Sequence, residues 1–206
     1  MHRLNLARLA RFDARTWYAA FGLAALMVAL QLLGTVARES LPYERSAIVA
    51  GGEYARLLSA HFYHYDFAHL AWNLAGLALV AWLFAAEFSA RAWGLILLVS
   101  TAVVDVGFLV LEPRLEWYVG FSGVLHGLAA AGLAAWLLRT RDSITAIVAA
   151  IFAAKLAWEH FAGPLPFAAQ SLPIPVIHEA HTYGAVGGLL AGAGLCLRQR
   201  RRVASL

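Results

Sequence analysis

The sequence predicts an all-α integral membrane protein built as one bundle of six spanning helices, and three observations carry that reading. The 206 residues are 62% hydrophobic and 14% charged, where soluble domains carry roughly a quarter charged residues. Six separate apolar runs each approach the roughly 20 residues that cross a bilayer as a helix. The basic residues favour alternate loops, as they do when those loops lie on one side of a membrane. Six spans leave no room for a sizeable soluble domain. Residues 1–206 therefore read as a single membrane domain, with a cytoplasmic N-terminal segment 1–16, a core 17–197 and a basic cytoplasmic tail 198–206.

The first run, 17–37, follows Arg3, Arg8, Arg11 and Arg15 and is too long for the apolar core of a cleavable signal. It reads as a retained span. Further spans are expected at 69–88, 92–111, 117–138, 144–161 and 177–197. With the amino terminus inside, eleven of the sixteen basic residues fall on the cytoplasmic side, whereas Arg38, Arg45, Arg56 and Arg114 lie outside with seven acidic residues. Both termini are thus expected in the cytoplasm. The basic tail needs no nucleic acid to explain it, since a stop-transfer role beside anionic lipid suffices. A single cysteine, Cys196, excludes a disulfide framework and any multi-cysteine metal site.

Two connections stand out. Residues 38–68 form a long outer loop in which 53–62 carry an apolar, aromatic side suited to a helix lying in the interface. Residues 162–176 hold Pro164, Pro166, Pro173 and Pro175 without a charge, an irregular segment that either covers a site or merely connects.

Polar side chains inside apolar helices are costly and mark functional sites or structural pairs. His69 and Asn73 are four apart in the second span, Ser122 and His126 four apart in the fourth, and His181 begins the sixth. Spacing of four places each pair on one helical face. These three spans all run from outside to inside, so their starts share one membrane depth and the polar groups can converge. Ser122, about five positions into its expected span, would lie roughly 8 Å below the outer end, in a hollow open to water.

The chemistry that fits is nucleophilic acyl transfer. A serine hydroxyl becomes a nucleophile when an imidazole takes its proton, and Ser122 with His181 supply that pair. His69, Asn73 and the Ser122 backbone N–H are candidate donors to a tetrahedral oxyanion. The scheme calls for no carboxylate. Gly120 and Gly123 flank the serine and leave room for a peptide backbone, while Ala180, Gly184, Gly188 and Gly192 repeat every four residues as a small-residue packing face. Lys155, Glu159 and Asp105 are expected to form a structural ion-pair network away from this outer site. His61, His160 and His178 are loop histidines without carboxylates at ligand spacing, so neither a metal nor another cofactor is expected.

The sequence resembles the rhomboid intramembrane serine proteases. His64-x4-His69-x3-Asn73, Gly120-x-Ser122-Gly123 and Ala180-His181-x2-Gly184-x3-Gly188 match the family's three motifs in order. The resemblance implies a rhomboid-like six-helix fold, Ser122 as nucleophile, His181 as general base and then acid, and His69 and Asn73 in the oxyanion hole, with His64 ordering the outer loop. Rhomboids typically carry tyrosine where this chain has His126. The pattern Gly-x-Ser-Gly-x-x-His-Gly is similar instead to rhombosortases, a bacterial branch. That likeness implies cleavage of exported proteins bearing a C-terminal tail of Gly-Gly, a transmembrane helix and basic residues. It also implies a location in the bacterial inner membrane, with the site opening to the periplasm. His126 either lines the site or packs in place of tyrosine. An ordinary rhomboid with other single-span substrates, a catalytically silent rhomboid-like binder and a small transporter or channel are the alternatives.

Overall fold

A computed structural model describes residues 14–166 and 174–204. Most of the expected N-terminal segment, the middle of the proline-rich connection and the last residues of the basic tail lie outside the described residues. Among the described residues, six helices are long and apolar enough to cross a membrane: Ala14–Leu32, Phe67–Phe84, Ala90–Leu111, Ser122–Thr140, Ser143–Ala162 and Glu179–Arg198. They are the first to sixth spans, and the sixth helix continues to Ala204. The chain is a multi-pass, all-α membrane protein.

Local chemistry moves several span boundaries from those expected. The first span stops at Leu32 rather than residue 37, because Gly34 takes φ 62° and a separate short helix, Thr35–Ser40, follows. The second begins at Phe67 rather than residue 69. Asp66 is its cap, its carboxylate accepting the His69 backbone N–H at 2.8 Å, which satisfies one of the free donors of a helix start. Asp142 caps the fifth span in the same way through Thr145.

The fourth span differs most. Residues 117–121 are not helical; Trp117–Tyr118 form strand β2, paired antiparallel with β1, Tyr43–Glu44, in the register Tyr43 to Tyr118. This short ladder ties the long loop between the first two spans to the segment before Ser122. Two guanidinium anchors hold it, that of Arg45 half-buried and that of Arg56 buried. Arg45 donates to the carbonyls of Phe108 and Leu109, both at 3.0 Å, at the end of the third span, where a cation complements unpaired helix carbonyls. Arg56 donates to Glu53, Pro42 and Glu39. The expected interfacial helix over 53–62 is only the short helix Ala55–Ser59, with Arg56 turned inward. Three acceptors compensate the guanidinium for leaving water, so this loop is a folded cap rather than an amphipathic surface helix.

The fourth span is the centre of the bundle, 56% buried against 11% for the first and fifth. The sixth packs against it backbone to backbone. A methyl group at Gly184 would run into the carbonyl oxygen of Gly123, and one at Gly188 into that of Gly127. Close packing of this kind drives association where lipid and protein are equally apolar. It also carries His181 onto the start of the fourth span.

Candidate active site

The site is built around the turn that enters the fourth span. Gly120 has φ +120°, a conformation open to glycine, and a Cβ there would lie 2.6–2.7 Å from the His69 ring; any side chain would therefore displace that imidazole. The Gly120 N–H donates to Ala60 O at 2.9 Å, and the Tyr118 hydroxyl donates to Gly120 O at 2.7 Å. Burial pushes the Tyr118 phenol up, with the Gly123 backbone and the Ser122 side chain opposing as hydrogen-bond partners. The turn is thereby held from both sides. Ser122 opens the helix instead of lying five residues inside it, so the expected helical depth does not apply. Its backbone N–H is among the helix's first donors, which have no intrahelical acceptor and face an anion favourably.

His181 is the third residue of the sixth helix. Its Nε2 lies 3.0 Å from Ser122 Oγ. Both side chains face a cavity of about 590 Å³ whose lining also includes His69, Asn73, His126, Lys155 and Glu159. His69 and Asn73 are buried on its wall. The Asn73 amide donates to its own helix at His69 O, 3.0 Å away, while Asn73 Oδ1 and His69 Nδ1 are buried without partners among the described residues. Asn73 Oδ1 can only accept, so the donors to an oxyanion here would be the second Asn73 Nδ2–H and a protonated His69 ring nitrogen. His64 does not enter the cavity. It is fully buried, its ring edge-on to His69 at 5.0 Å, and burial, with His69 beside it, holds its imidazole down to about 3.

One expectation is overturned. Lys155 and Glu159 are not remote from the outer site but part of it. Glu159, almost wholly buried, places Oε2 2.9 Å from His181 Nδ1. Lys155 Nζ lies 2.6 Å from the same oxygen and 3.2 Å from His181 Nδ1, and it also bonds His126 Nε2. The fifth span runs opposite to the second, fourth and sixth, so its end meets their starts, and its rotation turns Lys155 and Glu159 toward His181. Asp105 is not in this network. It pairs with His61, Nε2 to Oδ1 at 3.1 Å, so this loop histidine is buried with a carboxylate rather than solvated.

His126 lines the cavity and packs against a neighbouring ring. Its ring stacks on His181, centroids 4.0 Å apart and planes 17° off parallel. Its Nδ1 lies 2.7 Å from Ser122 O, and since a carbonyl only accepts, that nitrogen carries the proton. Nε2 is then the acceptor for Lys155. His126, Glu159 and His181 bring one ligand atom each within 4.8 Å of one another, a potential metal triangle with a carboxylate that the loop-histidine reading missed. Lys155 Nζ lies within 3.2 Å of all three residues, so an ammonium occupies the space a cation would need.

The remaining walls are apolar. Trp72, Trp117, Val119, Leu165 and residues 174–177 line the cavity, so the described ends of the proline-rich connection border the site. Tyr118 is a contributor that sequence spacing alone did not reveal, although a tyrosine two residues before a Gly-x-Ser-Gly turn is a visible signal.

A six-span helical membrane protein with a serine–histidine pair facing a cavity is the class that fold and site define. The family model described as a rhomboid domain matches residues 51–198, most of the chain, and the protein belongs to the rhomboid family, whose members are generally intramembrane serine proteases. No curated protein matches the sequence.

Proposed function

We propose that this protein is an intramembrane serine endopeptidase of the rhombosortase type, acting on exported proteins with a C-terminal Gly-Gly, transmembrane and basic tail. The observation that carries catalysis is the 3.0 Å separation of Ser122 Oγ and His181 Nε2 beside the cavity. Ser122 Oγ attacks the scissile carbonyl as its proton passes to His181 Nε2. The oxyanion is held by His69, Asn73 and the Ser122 N–H, and the protonated His181 then gives its proton to the leaving amine. Water, deprotonated by His181, resolves the acyl-enzyme. An amine in its place would transfer the substrate instead of releasing it.

The substrate assignment rests on the Gly-x-Ser-Gly-x-x-His-Gly pattern at residues 120–127. Its physical support is that adjacent glycines weaken a helix by about 1 kcal/mol each, which eases the local unwinding a helical substrate needs to reach Ser122. The bias of basic residues toward alternate loops supports cytoplasmic termini and a cavity opening on the opposite side, and the rhombosortase likeness supports a bacterial inner membrane with that opening on the periplasmic face.

Expression with a Gly-Gly-tailed reporter tests the reading. Cleavage by the wild-type protein and a loss of at least about 10³-fold in Ser122→Ala are expected. Persistent cleavage in Ser122→Ala would overturn the pair. Cleavage only of single-span substrates lacking Gly-Gly would indicate an ordinary rhomboid, and no cleavage of either kind a silent binder.

A further inference from the structure

His181 Nδ1 has two competing neighbours. Glu159 Oε2 at 2.9 Å accepts a hydrogen bond from Nδ1–H, whereas the Lys155 ammonium at 3.2 Å can only donate one. A neutral imidazole carries a single proton. If Lys155 donated to Nδ1, that proton would sit on Nε2, facing Ser122, and His181 would have no lone pair with which to activate the serine. If Nδ1–H donates to Glu159, Nε2 is free to take the Ser122 proton. The identity of the winning neighbour therefore decides whether the pair is reactive.

The surrounding contacts favour the reactive form. Lys155 has two better acceptors, the Glu159 carboxylate at 2.6 Å and His126 Nε2. His126 is itself fixed in the accepting tautomer by its Nδ1–H bond to Ser122 O and is clamped flat against His181. Glu159 is nearly inaccessible to water, so bulk solvent screens its charge less than that of a surface carboxylate.

We propose that Glu159 is a positioning residue that, through His181, converts the serine–histidine pair into a Ser122–His181–Glu159 relay. In that relay Lys155 neutralises the buried carboxylate and His126 keeps Lys155 from binding His181 Nδ1. Glu159 holds the Nδ1–H tautomer and balances the imidazolium formed when Ser122 Oγ–H gives its proton to Nε2; it takes no proton itself. This inference deepens the peptidase reading and rests on it for its kinetic arm.

The test compares Glu159→Gln, Glu159→Asp and the charge-balanced double variant Lys155→Met/Glu159→Gln in reconstituted membranes. It measures kcat and KM for reporter cleavage and the His181 tautomer by ¹⁵N NMR of histidine-labelled protein. Glu159→Gln is expected to lose at least about 100-fold in kcat with KM within about threefold and to move the His181 proton to Nε2. Glu159→Asp should recover part of the loss. The double variant, lacking the competing donor, should exceed Glu159→Gln by about tenfold; it also guards against misfolding from an unpaired buried lysine. Unchanged kcat in Glu159→Gln, or retention of the Nδ1 proton there, overturns the proposal. Labelling of Ser122 by a fluorophosphonate separates the two readings. An unlabelled, inactive wild type sinks the peptidase, whereas a labelled wild type with an equally fast Glu159→Gln sinks only the relay.

Discussion

Two histidine–carboxylate pairs lie on either side of Tyr118, and they share their chemistry but not their surroundings. In the first, His181 meets Glu159 at 2.9 Å, its other nitrogen faces Ser122, and the cavity gives access. In the second, His61 meets Asp105 at 3.1 Å, its Nδ1 is buried without a partner among the described residues, and the Tyr118 ring packs on it edge-first at 5.6 Å. The second pair is outside the cavity lining, with Tyr118, which does line it, packed on His61. A buried imidazole–carboxylate contact is thus no signature of catalysis by itself; what the far nitrogen faces, and whether substrate can reach it, separates the proposed relay from a strut.

Removing the carboxylate of the second pair is the sharpest test of that contrast. Asp105→Ala strands His61 and is expected to cost about 2–3 kcal/mol of stability, read as a lower thermal midpoint. Fluorophosphonate labelling of the folded fraction should stay within about twofold of wild type. Loss of labelling in a folded Asp105→Ala protein would make both pairs functional and break the comparison.

A smaller effect is expected at His126. His126→Phe keeps a flat ring against His181 but removes the acceptor for Lys155, so the lysine is free to compete for Nδ1. A roughly tenfold fall in kcat, about 1.4 kcal/mol, with KM little changed is the expected result. An unaltered kcat would assign His126 to packing alone.

The smallest effect concerns pH and a histidine belonging to neither pair. His64 is held at about 3 in the folded protein against roughly 6.5 when unfolded. Between those values the unfolded state binds the extra proton, so stability is complete above about pH 6.5 and declines as pH falls toward 3. The loss between pH 7 and 5.5 should be about 1 kcal/mol. Thermal unfolding of wild type and His64→Gln over that range checks it, with a shallower dependence expected in the variant.

Much of the fold and the Ser122–His181 pair was legible because the signals are local. Six apolar runs mark six spans, and four-residue spacing aligns His69 with Asn73 and Ser122 with His126. The rotation of the fifth span was not legible. A soluble helix marks its inner face by contrast with a polar one, but lipid and protein core are equally apolar, so Lys155 and Glu159 carry no label saying which neighbour they face. Their level along the bundle was readable from the alternating direction of the spans, and only their partners were not.

The sequence by itself determined a six-span rhomboid bundle and the order in which Ser122, His69, Asn73 and His181 enter it, because span length, helical period and motif spacing are properties of contiguous residues. Tertiary structure decided the rest. Residues 117–118 are strand rather than helix because residues 43–44 lie beside them. His181 faces Glu159 rather than solvent because glycines 184 and 188 let the sixth span meet the fourth at backbone distance, and the fifth span turns its end toward them. Contacts between residues far apart in the chain depend on how neighbouring helices are rotated and how closely they approach, and neither quantity is written in the residues of one helix alone.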